Sequence, residues 1–231
     1  MKAVLFDLDG TLLPMNEDNF LRGYFGGLYK HMAPFGFEKD SFVKAVWYGT
    51  DAMRKNDGTI TCKDAFWKAF SSLYPDKNID IICEEFTKFY STEFENTKAF
   101  CEPAHINAQA IIDEIKTKVD KVIVVANPVF PMNAMEARIR FAGIDPKSFD
   151  YITSYENMHY AKPNKNFIKE VLDKFNLTSE DVVYFGNSEK EDGRAARELN
   201  VKFYLTGNIV KDEKNEKPFD EITFQEIVRV L

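Results

Sequence analysis

The chain has 231 residues, of which 37 are acidic and 30 basic, giving a formal net charge of −7 at pH 7. A chain of this length buries roughly 70% of the surface of its unfolded state, which suffices for one large domain or for a core with an inserted module. The acidic balance argues against a nucleic-acid-binding protein, because contacts to a phosphate backbone need clustered Lys and Arg. We therefore expect a small-molecule partner and no nucleic acid.

The cysteines and the apolar runs indicate in which cellular compartment the protein is expected. Cys62, Cys83 and Cys101 lie far apart and form no CxxC pair, a pattern that favours neither a disulfide framework nor a zinc site. The amino-terminal apolar run is too short for a secretory signal, and no later run approaches the ~20 apolar residues of a membrane span. We expect a cytoplasmic protein that does not bind membranes. The sequence does not indicate the oligomeric state.

The first predicted strand ends in two carboxylates. The apolar run Ala3–Phe6 is typical of a buried strand in a parallel sheet. Asp7 and Asp9 follow it two residues apart, so in an extended chain they project to the same side, just past the carboxyl end of the strand, where open α/β sheets bind ligands. Gly10 allows a sharp turn, and Thr11 is expected to offer a hydroxyl at the rim of the site.

Two neighbouring carboxylates repel each other unless a proton or a cation neutralises them. The arrangement is typical of an acid and nucleophile pair, because an aspartate can attack phosphorus to give an aspartyl phosphate. It is equally typical of a metal site, because carboxylate oxygens suit Mg²⁺. The alternative is a polar turn after an edge strand, without any chemistry.

Residues 15–96 are rich in aromatic side chains at helical spacing and contain no convincing strand pattern. Thr61 with Asp64 three residues later predicts the start of one helix by a capping box. Trp47 is expected to face inward with its apolar neighbours. The four predicted helices span residues 19–31, 40–54, 65–73 and 79–94.

An aromatic stripe runs through the third and fourth of these helices. Its members are Phe66, Trp67, Phe70, Tyr74, Phe86 and Phe89. We interpret the stripe as the core of a helical bundle, because large apolar side chains are usually interior. It is also the best source of substrate contacts in this part of the chain.

From Cys101 onward, strand and helix patterns alternate. The predicted strands are residues 122–125, 150–153, 181–185 and 201–205. The predicted helices are residues 107–118, 133–142, 167–175, 192–199 and 221–231. Such alternation predicts an α/β fold, a doubly wound parallel sheet with helices on both faces. If the strand ends meet in one crevice, Asp7 and Asp9 are joined there by Ala126, Asn127, Lys162 and residues 187–192.

The segment Asp-Leu-Asp-Gly-Thr after an apolar strand resembles the DxDGT motif of the haloacid dehalogenase (HAD) superfamily. Lys162 in Lys-Pro-Asn and the Gly186-Asn187-Ser188 turn resemble later motifs of that superfamily. The resemblance covers nearly the whole chain. It implies a Rossmann-like core formed by residues 1–14 and 97–231, with an α-helical cap domain inserted at residues 15–96.

The resemblance also implies roles for individual residues. Asp7 is expected to be the nucleophile, Asp9 the general acid and base, and Lys162 a charge beside the phosphoryl group rather than a solvated surface lysine. Ala126, Asn127 and Lys162 are expected to bind the substrate phosphate. Asp7, Asp9, Asn187 and Asp192 are expected to hold Mg²⁺, with Glu189 and Glu191 as alternatives to Asp192.

Two positions depart from the superfamily pattern. Ala126 stands where Thr or Ser is usual, or Asn127 does if the alignment slips by one residue. Asn187 stands where the fourth motif usually has Asp, and asparagine offers Mg²⁺ a carbonyl oxygen but no charge. Both departures weaken the case for efficient turnover.

The function expected from the resemblance is a Mg²⁺-dependent phosphatase that acts on a small phosphorylated metabolite. A dehalogenase is disfavoured, because superfamily members that cleave carbon–halogen bonds lack an acid at the position of Asp9. A phosphomutase would share the same residues. A catalytically weakened domain that binds a ligand or a protein is the alternative from another class, and Ala126 and Asn187 favour it.

Overall fold

A computed structural model describes residues 1–215 and 217–231, and within them the sheet has six strands, all parallel. The strands are β1 (Ala3–Phe6), β2 (Lys121–Val124), β3 (Tyr151–Ile152), β4 (Val182–Ser188), β5 (Lys202–Val210) and β6 (Asp220–Glu221). Their order across the sheet is β3-β2-β1-β4-β5-β6. The strand order therefore reverses beside β1, the place where open α/β sheets bind ligands.

Strand β1 is buried on both faces of the sheet. Val4 and Phe6 belong to one hydrophobic cluster, and Ala3 and Leu5 belong to the other. The strand pairs in parallel with β2 on one side and β4 on the other. A continuous apolar run is what this position requires, since neither face meets water. The residue that follows β1 is consequently held between the carboxyl ends of two neighbouring strands.

The chain after β1 enters four α-helices, which we call the helical insert. They are α1 (Glu17–Met32), α2 (Lys39–Arg54), α3 (Cys62–Ser72) and α4 (Ile79–Ser91). Each begins after a side chain that accepts a backbone hydrogen bond, as Thr61 does from the amide of Asp64. The four predicted helices are confirmed. The last is shorter than predicted, because the chain tightens into 3₁₀ turns over Glu93–Phe100.

Aromatic side chains fill the interior of the helical insert. Phe42, Phe70 and Phe89 are fully buried, so the predicted bundle core is confirmed for these positions. The expectation for Trp47 is wrong, since 44% of this residue is exposed. On helix α2 the inward face is completed by smaller residues, and the indole of Trp47 lies beside Phe25 of α1, with 5.4 Å between ring centroids.

The remaining helices cover both faces of the sheet, as the doubly wound fold requires. They are α5 (Ala108–Lys116), α6 (Met132–Phe141), α7 (Lys165–Lys174), α8 (Arg194–Glu198) and α9 (Ile227–Val230). Helices α5, α6 and α9 contribute to one hydrophobic cluster, and α7 and α8 contribute to the other. Among the residues that the structure describes, no helix is long and apolar enough to cross a membrane.

The carboxyl-terminal segment differs from the prediction of one helix over residues 221–231. It contains the short strand β6, then 3₁₀ turns over Phe224–Glu226 and the single-turn helix α9. Strand β6 consists of two exposed acidic residues, which have low strand propensity and form no recognisable strand pattern. The helical part begins only after Thr223, whose side chain forms a reciprocal capping box with Glu226.

Strand β4 also runs further than the predicted residues 181–185. It continues to Ser188, so that Asn187 lies within the strand. A wide π-type turn over Glu189–Gly193 follows, and the predicted helix at 192–199 begins only at Arg194. This turn brings the side chain of Asp192 back toward the end of the sheet, where Ser188 N–H donates to it at 3.0 Å.

Candidate active site

Asp7 is the first residue beyond β1, and its side chain is buried. Its backbone N–H continues the sheet by donating to the carbonyl of Phe185 at 2.9 Å. Lys162 Nζ lies 2.6 Å from Asp7 Oδ1, and the hydroxyl of Thr11 donates to Oδ2 at 3.0 Å. Thr11 was expected at the rim but is fully buried, because the chain turns sharply at Gly10, which has a positive φ of 79°.

Lys162 connects two carboxylates at the floor of the site. It is only 2% exposed, and its Nζ donates to Asp7 Oδ1 and to Asp192 Oδ1, each at 2.6 Å. Burial opposes the charge of the ammonium group, but Asp192 and Asp7 outweigh that effect and raise the pKa of Lys162 above its usual value. Lys162 is therefore a permanent cation in contact with Asp7, and the alternative of a solvated surface lysine is excluded.

Asp192 is held by the core from several directions. The hydroxyl of Tyr184 donates to its Oδ1 at 2.5 Å, the atom that also accepts from Lys162. Burial, followed by the carboxylate of Asp192, raises the pKa of Tyr184, which keeps the phenol protonated as a donor. A Cβ at Gly186 would come within 2.5 Å of Asp192 Oδ2, so the close approach requires glycine at that position.

The other two acids of this turn point to different partners. Glu189 is buried and accepts a hydrogen bond from the backbone N–H of Asp212 at 2.8 Å. Glu191 faces the helical insert, where its carboxylate lies 3.5 Å from the guanidinium of Arg54 on α2. Of the three candidate acids, Asp192 is the one whose carboxylate reaches Lys162.

The floor of the site carries more negative than positive charge. Burial is the largest influence on Asp7 and, with the carboxylates of Asp192 and Asp9, raises its pKa to about 7, although Lys162 opposes the shift. One ammonium group is shared by two buried carboxylates. A proton or an additional cation at this place therefore stabilises the protein.

Asp9 forms an ion pair with Arg138 on helix α6, in which Nη1 donates to Asp9 Oδ2. The arginine is 1% exposed, and its guanidinium stacks over the ring of Phe130, 4.2 Å from the centroid. Among the described residues, Asp9 Oδ1 and Arg138 Nε are buried without hydrogen-bond partners. The side chain of Asp9 as a whole is 33% exposed.

Sequence reasoning missed Arg138. The one available signal was its place on the inward face of a predicted helix, where its neighbours are apolar. Ala134, Met135, Ala137, Ile139 and Phe141 of the same helix are all buried. An arginine among them needs an anion, because a buried charge is costly unless it is paired, and Asp9 supplies it.

The predicted phosphate-binding residues Ala126 and Asn127 follow β2. Ala126 is fully buried, and its carbonyl accepts from the hydroxyl of Thr153 at 2.7 Å. Asn127 is partly exposed, and its Oδ1 accepts from the backbone N–H of Lys162 at 3.2 Å. The carboxamide of Asn127 thus fixes the segment that carries Lys162, and its N–H₂ group is the side-chain donor available after β2.

Asn187 joins the ends of β4 and β5 beside the first turn. Its Nδ2 donates to the carbonyl of Asn208 at 2.9 Å, and the N–H of Asn208 donates to the carbonyl of Gly10 at 2.7 Å. A Cβ at Gly10 would come within 2.3 Å of Asn187 Nδ2. Glycine at position 10 therefore serves both the turn and the close packing of Asn187. No sequence pattern pointed to Asn208.

The donor set suits Mg²⁺ in its chemistry. Asp7, Asp9 and Asp192 supply carboxylate oxygens and Asn187 a carbonyl oxygen, the hard ligands that Mg²⁺ prefers. Asp9 Oδ1, buried without a partner in the described chain, is an oxygen that a cation would satisfy. Within residues 1–215 and 217–231, no three His, Cys, Asp or Glu side chains converge as a metal cluster. The residues therefore fit the ion in the chemistry of their oxygens and not in their present arrangement.

A cavity of about 960 Å³ opens above these residues, between the sheet and the helical insert. Asp7, Asp9 and Lys162 line its floor, and aromatic residues of the insert line its walls. This volume is at the upper end of the roughly 300–1,000 Å³ typical of small-molecule sites. The cavity places a bound molecule in contact with both carboxylates of the first motif.

A match to a protein family is consistent with the side chains found at the carboxyl ends of the strands. Residues 4–206 match the haloacid dehalogenase-like hydrolases. The chain belongs to this family. The expected membership, the Rossmann-like fold and the assignment as a hydrolytic enzyme are thereby confirmed.

Solved structures with the same fold include enzymes of different chemistry. One is the HAD phosphatase from Thermococcus onnurineus (17% identity, 100% of this chain and 97% of that chain, TM-score 0.61). Another is the HAD-hydrolase YfnB from Bacillus subtilis bound to magnesium (16% identity, 100% of this chain and 98% of that chain, TM-score 0.59). A third is L-2-haloacid dehalogenase from Xanthobacter autotrophicus (13% identity, 100% of this chain and 98% of that chain, TM-score 0.56). Among curated proteins no relative matches the chain. At these identities the structures establish the fold alone.

Proposed function

We propose that this protein is a Mg²⁺-dependent phosphatase that hydrolyses a small phosphoric monoester through an aspartyl phosphate on Asp7. The observation that carries the proposal is the pair of carboxylates at the end of β1. Asp7 is buried and held by Lys162 and Thr11, whereas Asp9 extends toward the cavity. A fixed nucleophile and a more accessible acid on the same turn suit attack followed by proton transfer.

In the first step a carboxylate oxygen of Asp7 attacks phosphorus. The new oxygen–phosphorus bond forms as the bond to the leaving oxygen breaks, and Asp9, which must have taken up a proton from solvent before this step, gives that proton to the leaving oxygen. Lys162 is already in contact with Asp7 and stabilises the charge that develops on the phosphoryl oxygens. The products of this step are the free alcohol and the aspartyl phosphate.

In the second step Asp9, now a carboxylate, takes a proton from a water molecule as that water attacks phosphorus. The bond between Asp7 and phosphorus breaks, which releases inorganic phosphate and restores both aspartates to their starting protonation. One residue thus serves as acid and then as base. A leaving alcohol and a water molecule must both come within hydrogen-bond distance of Asp9.

Arg138 orients Asp9 for these transfers. It occupies Oδ2 and so fixes one oxygen of the carboxyl group, while the buried Oδ1, which has no partner in the described chain, must become accessible before it exchanges a proton with the leaving group or with water. Stacking on Phe130 fixes the guanidinium in turn. Arg138 is a positioning residue, since it acts on the reaction through Asp9.

Asp7, Asp9, Asn187 and Asp192 would hold Mg²⁺, whose charge, when bound, neutralises the phosphoryl oxygens. The magnesium bound by the Bacillus subtilis HAD-hydrolase supports this assignment. Asn127, Lys162 and the backbone at Ala126 would contact the phosphate. Because Ala126 contributes no hydroxyl, Asn127 Nδ2 is the side-chain donor for this task.

We also propose that the helical insert, within the predicted limits 15–96, acts as a mobile cap. The chain passes between insert and core near Pro14 and near Cys101, a two-point connection that allows hinge closure. Arg54 and Glu191 face each other across the cavity mouth at 3.5 Å. The Bacillus subtilis HAD-hydrolase undergoes interdomain movement, which supports a mobile cap here. A cytoplasmic location remains our prediction for this protein.

A phosphomutase and a non-catalytic binding domain are the competing functions. A mutase would use the same aspartates and return the phosphoryl group to a second hydroxyl instead of water. A binding domain is favoured by Ala126 and Asn187. Against it, the buried contact of Lys162 with Asp7 and Asp192 preserves the charged floor that phosphoryl transfer needs.

A screen for phosphate release with and without Mg²⁺ tests the proposal. We expect the wild-type protein to release phosphate from simple esters and from acetyl phosphate only with Mg²⁺, and Asp7→Asn to release none, because the amide is nearly isosteric but a poor nucleophile. Asp76→Asn, at an exposed position of the insert, is the matched control. Turnover by Asp7→Asn close to that of the wild type would refute the nucleophile assignment.

A further inference from the structure

Aromatic rings line one part of the cavity, beside polar and charged residues such as Glu17, Arg54 and Asn127. We call these rings the aromatic chamber. Its members are Phe20, Tyr24 and Phe25 of α1, Trp47 of α2, Phe66 and Trp67 of α3, Phe86 and Tyr90 of α4, and Phe130 and Tyr155 of the core. All four helices of the insert contribute, and the rings stand over the floor formed by Asp7 and Asp9.

The outer part of the chamber is not needed to close the bundle. Phe42, Phe70 and Phe89 fill the interior of the insert and are fully buried. Trp47, by contrast, is 44% exposed and forms an open aromatic corner with Phe25, whose ring is tilted 42° from the indole. Large apolar surface left open toward a cavity marks a place for a ligand.

Three hydroxyl groups at or beside the rings are already engaged in hydrogen bonds. The hydroxyls of Tyr24 and Tyr90 lie 2.6 Å apart and share a hydrogen bond, and the hydroxyl of Thr50 donates to the carbonyl of Val46 at 3.0 Å. A ligand hydroxyl placed against the rings would lose its water without gaining these hydroxyls as free partners, which is unfavourable. A flat apolar ring loses little and gains stacking contacts.

We propose that the preferred substrate is a phosphoric monoester whose leaving group carries a flat aromatic ring, which enters the chamber beside Phe25 and Trp47. This inference rests on the proposed phosphatase function and names its substrate class. The phosphate lies at Asp7 while the ring reaches the open corner, so one molecule spans the floor and the wall. The volume of about 960 Å³ is also larger than an ester of two or three carbons needs.

The test compares two esters that differ in aromaticity but have similar alcohols as leaving groups, benzyl phosphate and cyclohexylmethyl phosphate. Phosphate release by the wild type should give a kcat/KM about tenfold higher for benzyl phosphate, because aromatic contacts contribute ~0.5–1.5 kcal/mol per pair. Ribose 5-phosphate, a polyol ester, should be poorer than either. Equal rates for the two matched esters, or a preference for ribose 5-phosphate, would overturn the inference but would leave the phosphatase proposal intact.

Variants of Trp47 test whether this residue causes the preference for the aromatic ester. Trp47→Leu should reduce the benzyl to cyclohexylmethyl ratio toward one, and Trp47→Ala should do so more strongly. Tyr48→Leu is the matched control, since Tyr48 is the neighbouring aromatic residue of α2, is 52% exposed and is not one of the residues that line the cavity. A ratio unchanged in both Trp47 variants, with cooperative thermal unfolding, would contradict the placement.

A binding measurement distinguishes a failure of this inference from a failure of the phosphatase proposal. Trp47 and Trp67 are the two tryptophans of the sequence, and both line the chamber. Titrating Asp7→Asn with each ester should change tryptophan fluorescence, with benzyl phosphate saturating at about tenfold lower concentration. If no ester and no acetyl phosphate is hydrolysed by the wild type but this preference holds, the phosphatase proposal fails and the chamber stands. If neither ester binds, the chamber inference fails.

Discussion

Asn187→Asp is the substitution that tests the architecture of the candidate metal site most directly. In the structure Asn187 Nδ2 donates to the carbonyl of Asn208 at 2.9 Å. Aspartate has no donor there, so a carboxylate oxygen would face a carbonyl oxygen. Leaving this partly buried acceptor without its partner costs up to about 3 kcal/mol. The new charge also joins Asp7, Asp9 and Asp192, which repel it.

We therefore expect Asn187→Asp to lower the free energy of unfolding by up to about 3 kcal/mol when Mg²⁺ is removed with EDTA. With Mg²⁺ part of this loss should be recovered, because the added carboxylate is a better ligand than an amide oxygen. A tenfold gain in Mg²⁺ affinity adds about 1.4 kcal/mol of stabilisation at saturating ion. The variant should be the less stable protein without the ion and should gain more from it.

Urea unfolding followed by circular dichroism, in EDTA and at several Mg²⁺ concentrations, measures both effects. A Mg²⁺ titration of phosphate release gives the affinity independently. Asn96→Asp is the control, since it adds the same charge at an exposed position of the segment Glu93–Phe100, which does not line the cavity. Unchanged stability in EDTA would show that the Asn208 contact contributes nothing, and an unmoved Mg²⁺ midpoint in both assays would remove residue 187 from the ligand set.

Three other substitutions follow from the same geometry. Asp9→Asn should slow esters of weakly acidic alcohols more than aryl esters, which need less protonation; equal losses in kcat for both would argue against acid catalysis. Arg138→Met should lower the free energy of unfolding by up to about 3 kcal/mol in urea titrations, because it leaves Asp9 unpaired. The double variant with Asp9→Asn should recover part of that loss. Additive effects of the two substitutions would mean that the pair is not coupled. Ala126→Thr should lower the free energy of unfolding by about 1–3 kcal/mol, since the site is fully buried; normal stability with faster turnover would instead support a hydroxyl reaching the phosphate.

The parts of the fold that sequence reasoning found are those with local signals. The run Ala3–Phe6 is apolar at every position because both faces of β1 are buried, and this pattern is visible without any tertiary information. The carboxyl ends of parallel strands meet at one edge of a sheet, which is why Asp7 and Lys162, 155 positions apart, could be placed together before the contact was seen.

What the sequence did not reveal depends on contacts that carry no local pattern. Arg138 lies on the inward face of its helix, but the local pattern does not show which anion it pairs with, because Asp9 is 129 positions away and the guanidinium is placed by packing against Phe130. Trp47 was expected inside because it is large and apolar, whereas the inner face of α2 is filled by residues such as Ala45 and Val46. The two-residue strand β6 is too short and too polar to register as a strand.

The departure at Asn187 becomes understandable once the charges of the site are considered together. Asp7, Asp9 and Asp192 are opposed by Lys162 and Arg138, so the described site carries one negative charge in excess when its acids are ionised. An aspartate at position 187 would double that excess in a place where burial already raises the pKa of Asp7 to about 7. Asparagine keeps an oxygen for a cation and uses its N–H₂ group to tie β4 to β5. In the described structure Arg138 and Lys162 hold the three carboxylates in place, and we expect Mg²⁺ to add to these two cations when it binds.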